Sequence, residues 1–386
     1  MTAVAEAAAP RCTEDLIGHA AAERALLAAW QSGRLPHAWL ITGPAGIGKA
    51  TLAFRFARFV LSRPGRSRRP EAGALFGTSL WGDGTGPETD QRETDQPETD
   101  QPETLALSAH HPVFHRIASG GHADLLTVER RFDEERGRLR RDVAVDDVRR
   151  IAPFLHLTPA EGDWRVVIVD GAERMNESSQ NAILKILEEP PTGALLLLVA
   201  ENGGAMKPTI RSRCRRLALE PLGATALEAL IERFRPDLGA TDRATLIHLA
   251  EGSIGRALDL ATAGGVALYK ELMTLLGGLP HLDVTSLHGF SDRLARRGAE
   301  RSYETVSALL IWWLARLARG RATGQLPAEI VPGESALVSR LIAEGTLEAW
   351  MEVWEKLNVL FVQAETANLD HKQVMLNALL TLEQAL

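Results

Sequence analysis

The sequence predicts an α/β nucleotide-binding domain built on a parallel sheet, followed by an all-α region. Three observations carry that prediction. Gly43-Pro44-Ala45-Gly46-Ile47-Gly48-Lys49-Ala50 stands between an apolar strand-like run, Ala38–Thr42, and a helical apolar period, Thr51–Val60. Two continuous apolar runs, Val166–Val169 and Leu195–Val199, have the pattern of parallel strands buried on both faces. From Pro221 onward the strand patterns cease and only helical periods remain.

The glycine-rich segment is a phosphate-binding loop with one departure. The pattern G-x-x-x-x-G-K-[ST] brings backbone N–H groups around phosphates, sends a Lys to the outer phosphates and gives Mg²⁺ a hydroxyl ligand. Here the requirements hold through Lys49, but the hydroxyl position is Ala50. Thr51 does not simply replace it, since one residue along a helix turns the side chain by roughly 100°. The run Gly43, Pro44, Ala45, Gly46, Ile47, Gly48, Lys49, Ala50, Thr51 is therefore the candidate cradle for ATP or ADP, with Mg²⁺ weakly held or absent.

The second half of such a site is an apolar strand ending in a carboxylate that helps position Mg²⁺. Val166–Val169 followed by Asp170 meets that description. Hydrolytic proteins of this type place a Glu next, to activate water; here Gly171 follows, which has no acid–base chemistry. Glu173, three positions beyond Asp170, reads as a solvated turn residue rather than a base. Loss of the hydroxyl and the base strikes one mechanism twice, so nucleotide binding is expected without turnover.

A helix containing Asn181–Leu187 lies between the two strands and ends at Glu188-Glu189-Pro190-Pro191, where proline forbids continuation. Then comes Pro208-Thr209-Ile210-Arg211-Ser212-Arg213-Cys214. An Arg on a rigid turn beyond a core strand suits a phosphate on a neighbouring subunit. It equally suits a carboxylate of its own domain, and the segment alone leaves both open. Gly252-Ser253-Ile254-Gly255-Arg256 opens a later helix with an early Arg placed to face a nucleotide. Cys214 reads as a small core residue.

Composition sets the surroundings. A chain of 386 residues accommodates two or three domains, and 45% hydrophobic content is globular. No apolar run reaches the length of a membrane span. The Ala-rich start carries Glu6 and lacks a basic n-region, so no signal peptide is expected. Cys12 and Cys214 are the only cysteines, too few for a disulfide framework or a zinc set, and a reducing cytoplasm fits. Pro87–Thr104 repeats PETDQ and supplies most of the net charge of −7. With nothing apolar to bury it is expected to be disordered, inside an insertion at about 62–110 that interrupts a domain spanning 1–218. Arg63, Arg66, Arg68 and Arg69 read as a solvated loop. There is no concentrated basic face of the kind a strong DNA binder carries.

The remainder is read as helices. Ala224–Phe234 and Thr241–Ala250 come first, the latter with Thr241 as N-cap. A third covers about 254–263. Glycine breaks at 264–265 and 277–278 precede a last helical stretch at about 284–386. Trp312, Trp313, Trp350 and Trp354 lie on its apolar stripes, read as core packing, with a subunit interface as the alternative.

Together these residues resemble the bacterial clamp-loader AAA+ family of DNA polymerase III, its delta-prime type above all. The resemblance rests on Leu35–Thr51, Trp164–Asp170, Asn181–Pro191, Pro208–Cys214 and Ala367–Gln373. It implies a RecA-like AAA+ domain (1–218), a small helical lid (219–275) and a helical collar (276–386) that joins subunits into a ring. It further implies a stator-like subunit supporting ATP-dependent loading of the sliding clamp onto primed DNA. The partners are gamma/tau and delta subunits, within a holoenzyme that is a DNA-directed DNA polymerase. Arg213 would be the finger serving a neighbour's ATP site, Arg256 the sensor 2 residue, and Asn202 the only suitable sensor 1 side chain at 200–202. Relatives commonly carry a four-cysteine zinc module after the loop helix. This chain has no cysteine there, so neither zinc nor any other protein-held metal is expected. His110, His111, His115 and His122 read as loop and packing residues. Motor subunits of the family retain the hydroxyl and the Glu, so Ala50 and Gly171 favour the non-hydrolysing type. A catalytically active AAA+ ATPase is the alternative.

Overall fold

A computed structural model describes residues 9–63, 102–133, 138–140 and 142–384. The acidic repeat as far as Gln101, and Arg66, Arg68 and Arg69, lie outside the described residues. The chain divides into two compact units. The first comprises Met1–Pro44 and Gly48–Glu220, the second Ala45–Ile47 and Pro221–Leu386.

The first unit begins with α1 (Ala20–Gln31), β1 (Ala38–Thr42) and α2 (Lys49–Leu61). Then follow α3 (Pro112–Ala118), β2 (Leu125–Val128), the short antiparallel pair β3 (Phe132–Asp133) and β4 (Arg138–Leu139), α4 (Val145–Arg149) and α5 (Ile151–His156). It closes with β5 (Arg165–Asp170), α6 (Glu177–Glu188), β6 (Ala194–Ala200), α7 (Pro208–Arg213) and β7 (Arg215–Ala218). The main sheet has the order β2-β5-β6-β1-β7, with every pairing parallel.

Strand alternation divides the apolar runs between two faces. Leu40, Val167, Val169, Leu196 and Leu198 share a core with Ile183, Ile186 and Leu187 of α6 and with Cys214. The alternate residues Trp39, Ile41, Val166, Ile168, Leu195 and Leu197 are equally buried, and α2 packs on β1, β5 and β6. Burial on both faces explains why the strands read as unbroken apolar runs. Two arginines go under with α2. Arg55 bonds Glu23 at 2.7 Å and the Glu14 carbonyl at 2.6 Å, and Arg58 bonds the Thr13 carbonyl at 2.7 Å. They tie the N-terminal segment to the helix that carries Lys49.

Residues 102–110, expected to belong to a disordered insertion, are packed against the rest of the first unit. Leu105 is fully buried, the Pro102 carbonyl accepts from Gln31 Nε2 at 2.8 Å, and the Ala109 N–H donates to Glu14. A buried apolar side chain, which the repeat lacks, and hydrogen bonds to Gln31 and Glu14 hold this segment. Arg63 lies over the Phe59 ring.

The second unit is helical: α8 (Ala224–Phe234), α9 (Ala240–Ala250), α10 (Ile254–Thr262), α11 (Gly265–Leu276), α12 (Val284–Leu294), α13 (Glu300–Thr323), α14 (Glu334–Glu344), α15 (Leu347–Ala367) and α16 (His371–Glu383). Both the expected lid and the expected collar fall within it. Thr241 is not an N-cap; Gly239 holds that position and Thr241 lies inside the first turn. Trp313 and Trp350 are fully buried, whereas Trp354 is 37% exposed. Glu334, only 3% exposed, anchors three elements: it accepts from Tyr269 Oη at 2.7 Å, from Arg316 at 3.0 Å and from the Ile330 N–H at 2.9 Å.

Candidate functional site

Parallel strands present their carboxyl ends to ligands, and in the first unit those ends carry the chemistry. β1 runs directly into the glycine loop. Asp170 ends β5, Glu129 follows β2 beside it through the Val128–Val169 register, and Glu201 follows β6. Lys49 opens α2 and is 6% exposed; its Nζ donates to the Pro44 carbonyl at 2.5 Å. Burial pulls the Lys49 pKa down, while the carboxylates of Glu201, Asp170 and Glu173 push it back up. Burial likewise raises the Asp170 carboxyl, with Glu129 acting the same way and Lys49 opposing.

The loop N–H groups and the Lys49 ammonium suit phosphate oxygens, and Asp170 suits a cation bound with them. At Ala50, the second residue of α2, no hydroxyl is available as a second metal ligand. Gly171 adopts the left-handed conformation, φ 76° and ψ 44°. A Glu at this position would have to adopt backbone angles that L-residues with a side chain avoid. Glu173 is not a solvated turn residue. Its side chain is 10% exposed and accepts from the Glu201 N–H at 3.2 Å, with Arg174 alongside. Bonded to the end of β6, it links two neighbouring strand ends.

Asn202 uses its side-chain oxygen locally, accepting from the Gly204 N–H at 2.7 Å to cap the turn Gly203–Ala205. Its neighbour Glu201 is one of the carboxylates acting on Lys49. Sequence reasoning missed Glu201; its signal was its position one residue past a core strand.

Arg213 ends α7. Its guanidinium donates to the Thr209 carbonyl at 3.0 Å and pairs with Glu188 at 2.9 Å, the two side chains being 36% and 51% exposed. Cys214 is buried in the core, as its sequence context suggested, and burial pushes its thiol up to about 12. His111 caps α3 by accepting from the Val113 N–H, and His115 meets the Phe114 ring edge-on. The buried His122 accepts from the Asp124 N–H.

In the second unit, the loop-tip residue Gly46 (φ 69°) accepts from the Gly255 N–H at 2.9 Å. A Cβ on Gly46 would lie 2.5 Å from Ser253 Oγ, so only glycine fits without movement there. Ser253 caps α10 by accepting from the Arg256 N–H. Arg256 pairs with Glu251 at 3.5 Å and lies 5.3 Å above the Trp312 ring. Burial lowers its pKa, opposed by Glu251. Among the described residues, no cluster of three or more His, Cys, Asp or Glu is arranged to hold a metal ion, and no helix is long and apolar enough to cross a membrane.

The parallel sheet, with the glycine loop after its interior strand β1 and Asp170 closing β5, defines a P-loop nucleotide-binding fold. Its sequence resembles the clamp-loader subunits of DNA polymerase III, delta-prime and gamma/tau alike. Residues 99–223 match the family model described as DNA polymerase III, delta subunit. The delta-prime subunit of Pseudomonas aeruginosa is 31% identical over 217 residues, covering 56% of this chain and 53% of that protein. The gamma/tau subunit of Mycobacterium tuberculosis is 26% identical over 308 residues, 78% of this chain and 46% of that one. The chain thus spans about half the length of these relatives. Among solved structures, a gamma subunit-related protein from Thermotoga maritima covers 93% of this chain and 99% of its own, at 18% identity and a TM-score of 0.42.

Proposed function

We propose that this chain is a delta-prime-type clamp-loader subunit: a stator that holds its place in a hetero-oligomeric ring and does not itself turn over ATP. The observation that carries the reading is Ala50 together with Gly171, which removes a metal ligand and the water-activating carboxylate from one site. ATP or ADP binds in the loop without hydrolysis and with weakly held Mg²⁺. The partners are gamma/tau and delta subunits, and through them the sliding clamp and primed DNA in the cytoplasm. Arg213 leaves Glu188 to serve the ATP site of a neighbouring motor subunit, and Arg256 faces the phosphates.

A motor-type ATPase is the second reading, favoured by the gamma/tau match, which extends over more of this chain than the delta-prime match does. ATP hydrolysis by the full chain with Mg²⁺ and primed DNA, alone and in a reconstituted loader, separates the two. Background turnover by the chain alone is expected. Turnover of about 1 s⁻¹, within the ordinary enzyme range, would overturn the stator reading.

A further inference from the structure

Trp312 sits in α13 with two guanidinium groups over its ring. Arg316 lies 4.7 Å from its ring centroid and Arg256 5.3 Å. The ring is also held edge-on by Tyr269, whose centroid is 6.2 Å away. Behind it stands the buried hub in which Glu334 binds both Tyr269 and Arg316, while Arg316 also donates to the Ala328 carbonyl at 2.6 Å. The indole is therefore restrained by its neighbours, and Arg256 lies over its ring.

Arg256 is the residue after Gly255, whose N–H is bonded to the loop tip at Gly46. Gly46 and Gly255 meet backbone to backbone: a Cβ on Gly255 would lie 2.9 Å from Gly46 Cα. A shift in the first turn of α10 has no slack to absorb it before reaching the loop. The Arg256 backbone is fixed by the Ser253 cap, and its side chain pairs with half-exposed Glu251 at 3.5 Å. The ring of Trp312 supports it too.

We propose that Trp312 is a positioning residue for Arg256: the hub of Tyr269, Glu334 and Arg316 holds the indole, and the indole holds the guanidinium and the first turn of α10 against the phosphate-loop tip. Its effect on nucleotide binding rests on the proposed phosphate-facing role of Arg256. The arrangement joins the loop tip to α13 by contacts with fixed geometry rather than by proximity alone.

The experiment is a double-mutant cycle on the full chain with two readouts. The first is equilibrium binding of a labelled ATP and ADP to the wild type, Trp312→Leu, Trp312→Phe, Arg256→Ala and the Trp312→Leu/Arg256→Ala double variant. Trp312→Leu should weaken ATP binding roughly tenfold, within reach of a desolvated cation–π contact. It should add nothing once Arg256 is Ala, and Trp312→Phe, which keeps an aromatic face, should recover most of the loss. Equal weakening in the presence and absence of Arg256 would overturn the proposal.

The second readout is hydrogen exchange of the Gly255 and Arg256 amides, which needs no nucleotide. Trp312→Leu should speed exchange at these two amides about tenfold while the middle of α13 keeps its wild-type protection. Unchanged exchange at Gly255, or acceleration spread evenly along α13, would mean that Trp312 only packs. If Arg256→Ala leaves ATP binding intact, the phosphate role of Arg256 fails, and the exchange data still decide whether Trp312 holds it.

Discussion

Arg213 and Glu188 form an ion pair at 2.9 Å that joins the end of α7 to the end of α6, with both side chains substantially in solvent. Pairs this exposed contribute about 0–1 kcal/mol. The bond orients the guanidinium without holding it strongly, which is compatible with release to a second acceptor. Arg213→Ala should therefore fold and assemble normally while lowering ATP turnover by the reconstituted loader. On the proposed trans role the loss at one site is about 10³–10⁵-fold, and the proposed ring as a whole would lose less, its other sites not using this Arg. Glu188→Gln should leave turnover intact. Wild-type ATPase in fully assembled Arg213→Ala rings would refute the trans role.

Ala50→Thr should restore the missing hydroxyl and tighten binding of ATP with Mg²⁺, a gain that vanishes when EDTA removes the cation. Gly171→Glu has a cost of its own, because φ at that position is 76°. A left-handed conformation costs a side-chain-bearing residue roughly 1–2 kcal/mol. Titration calorimetry of the first variant and thermal denaturation of the second measure the two effects. An Ala50→Thr variant with no Mg²⁺-dependent gain would show that the loop lacks the expected geometry.

Glu334→Ala should strongly destabilise the helical unit. It removes the acceptor of Tyr269, Arg316 and two backbone N–H groups at a position 3% exposed. Breaking a buried pair by deleting one partner costs about 3–5 kcal/mol. A urea midpoint within error of the wild type would contradict the hub.

His122 predicts a pH dependence. Burial holds its pKa below the ordinary 6.5, with Arg116 acting the same way and the Glu161 and Asp124 carboxylates opposing. The ring accepts from the Asp124 N–H, so the folded state keeps it neutral. The unfolded chain then takes up the proton first. The stabilisation from this residue is present above 6.5 and is lost as pH falls through that value toward the lowered folded pKa. In His122→Asn, whose side-chain oxygen offers the same acceptor, the fall in denaturation midpoint between pH 7.5 and 5.5 should shrink. An identical pH profile would exclude His122 as a contributor.

Much of this protein was legible in its residue order. The loop from Gly43 to Lys49, the cores of the strands β5 and β6, and the helices Ala224–Phe234, Ala240–Ala250 and Ile254–Thr262 follow from apolar period, glycine placement and proline stops. These are properties of neighbouring residues. The helix α11 between its two glycine breaks, and the division of 284–386 into separate helices, did not follow. β2 and β7 escaped the reading for a physical reason. Leu125–Val128 is four residues long, and the edge strand Arg215–Ala218 has exposed arginines where a central strand carries apolar side chains. Leu105 was hidden by the polar repeat before it.

The tertiary structure alone decided which side chains act on one another. It brought Glu201 to bear on Lys49, bonded Glu173 across to the Glu201 N–H, paired Arg213 with Glu188 and laid Arg256 over Trp312. Local sequence sets backbone conformation, because sterics and hydrogen bonds act over a few residues. The partners of a charged side chain depend on strand register and helix packing, and these bring together residues as far apart in sequence as Arg256 and Trp312.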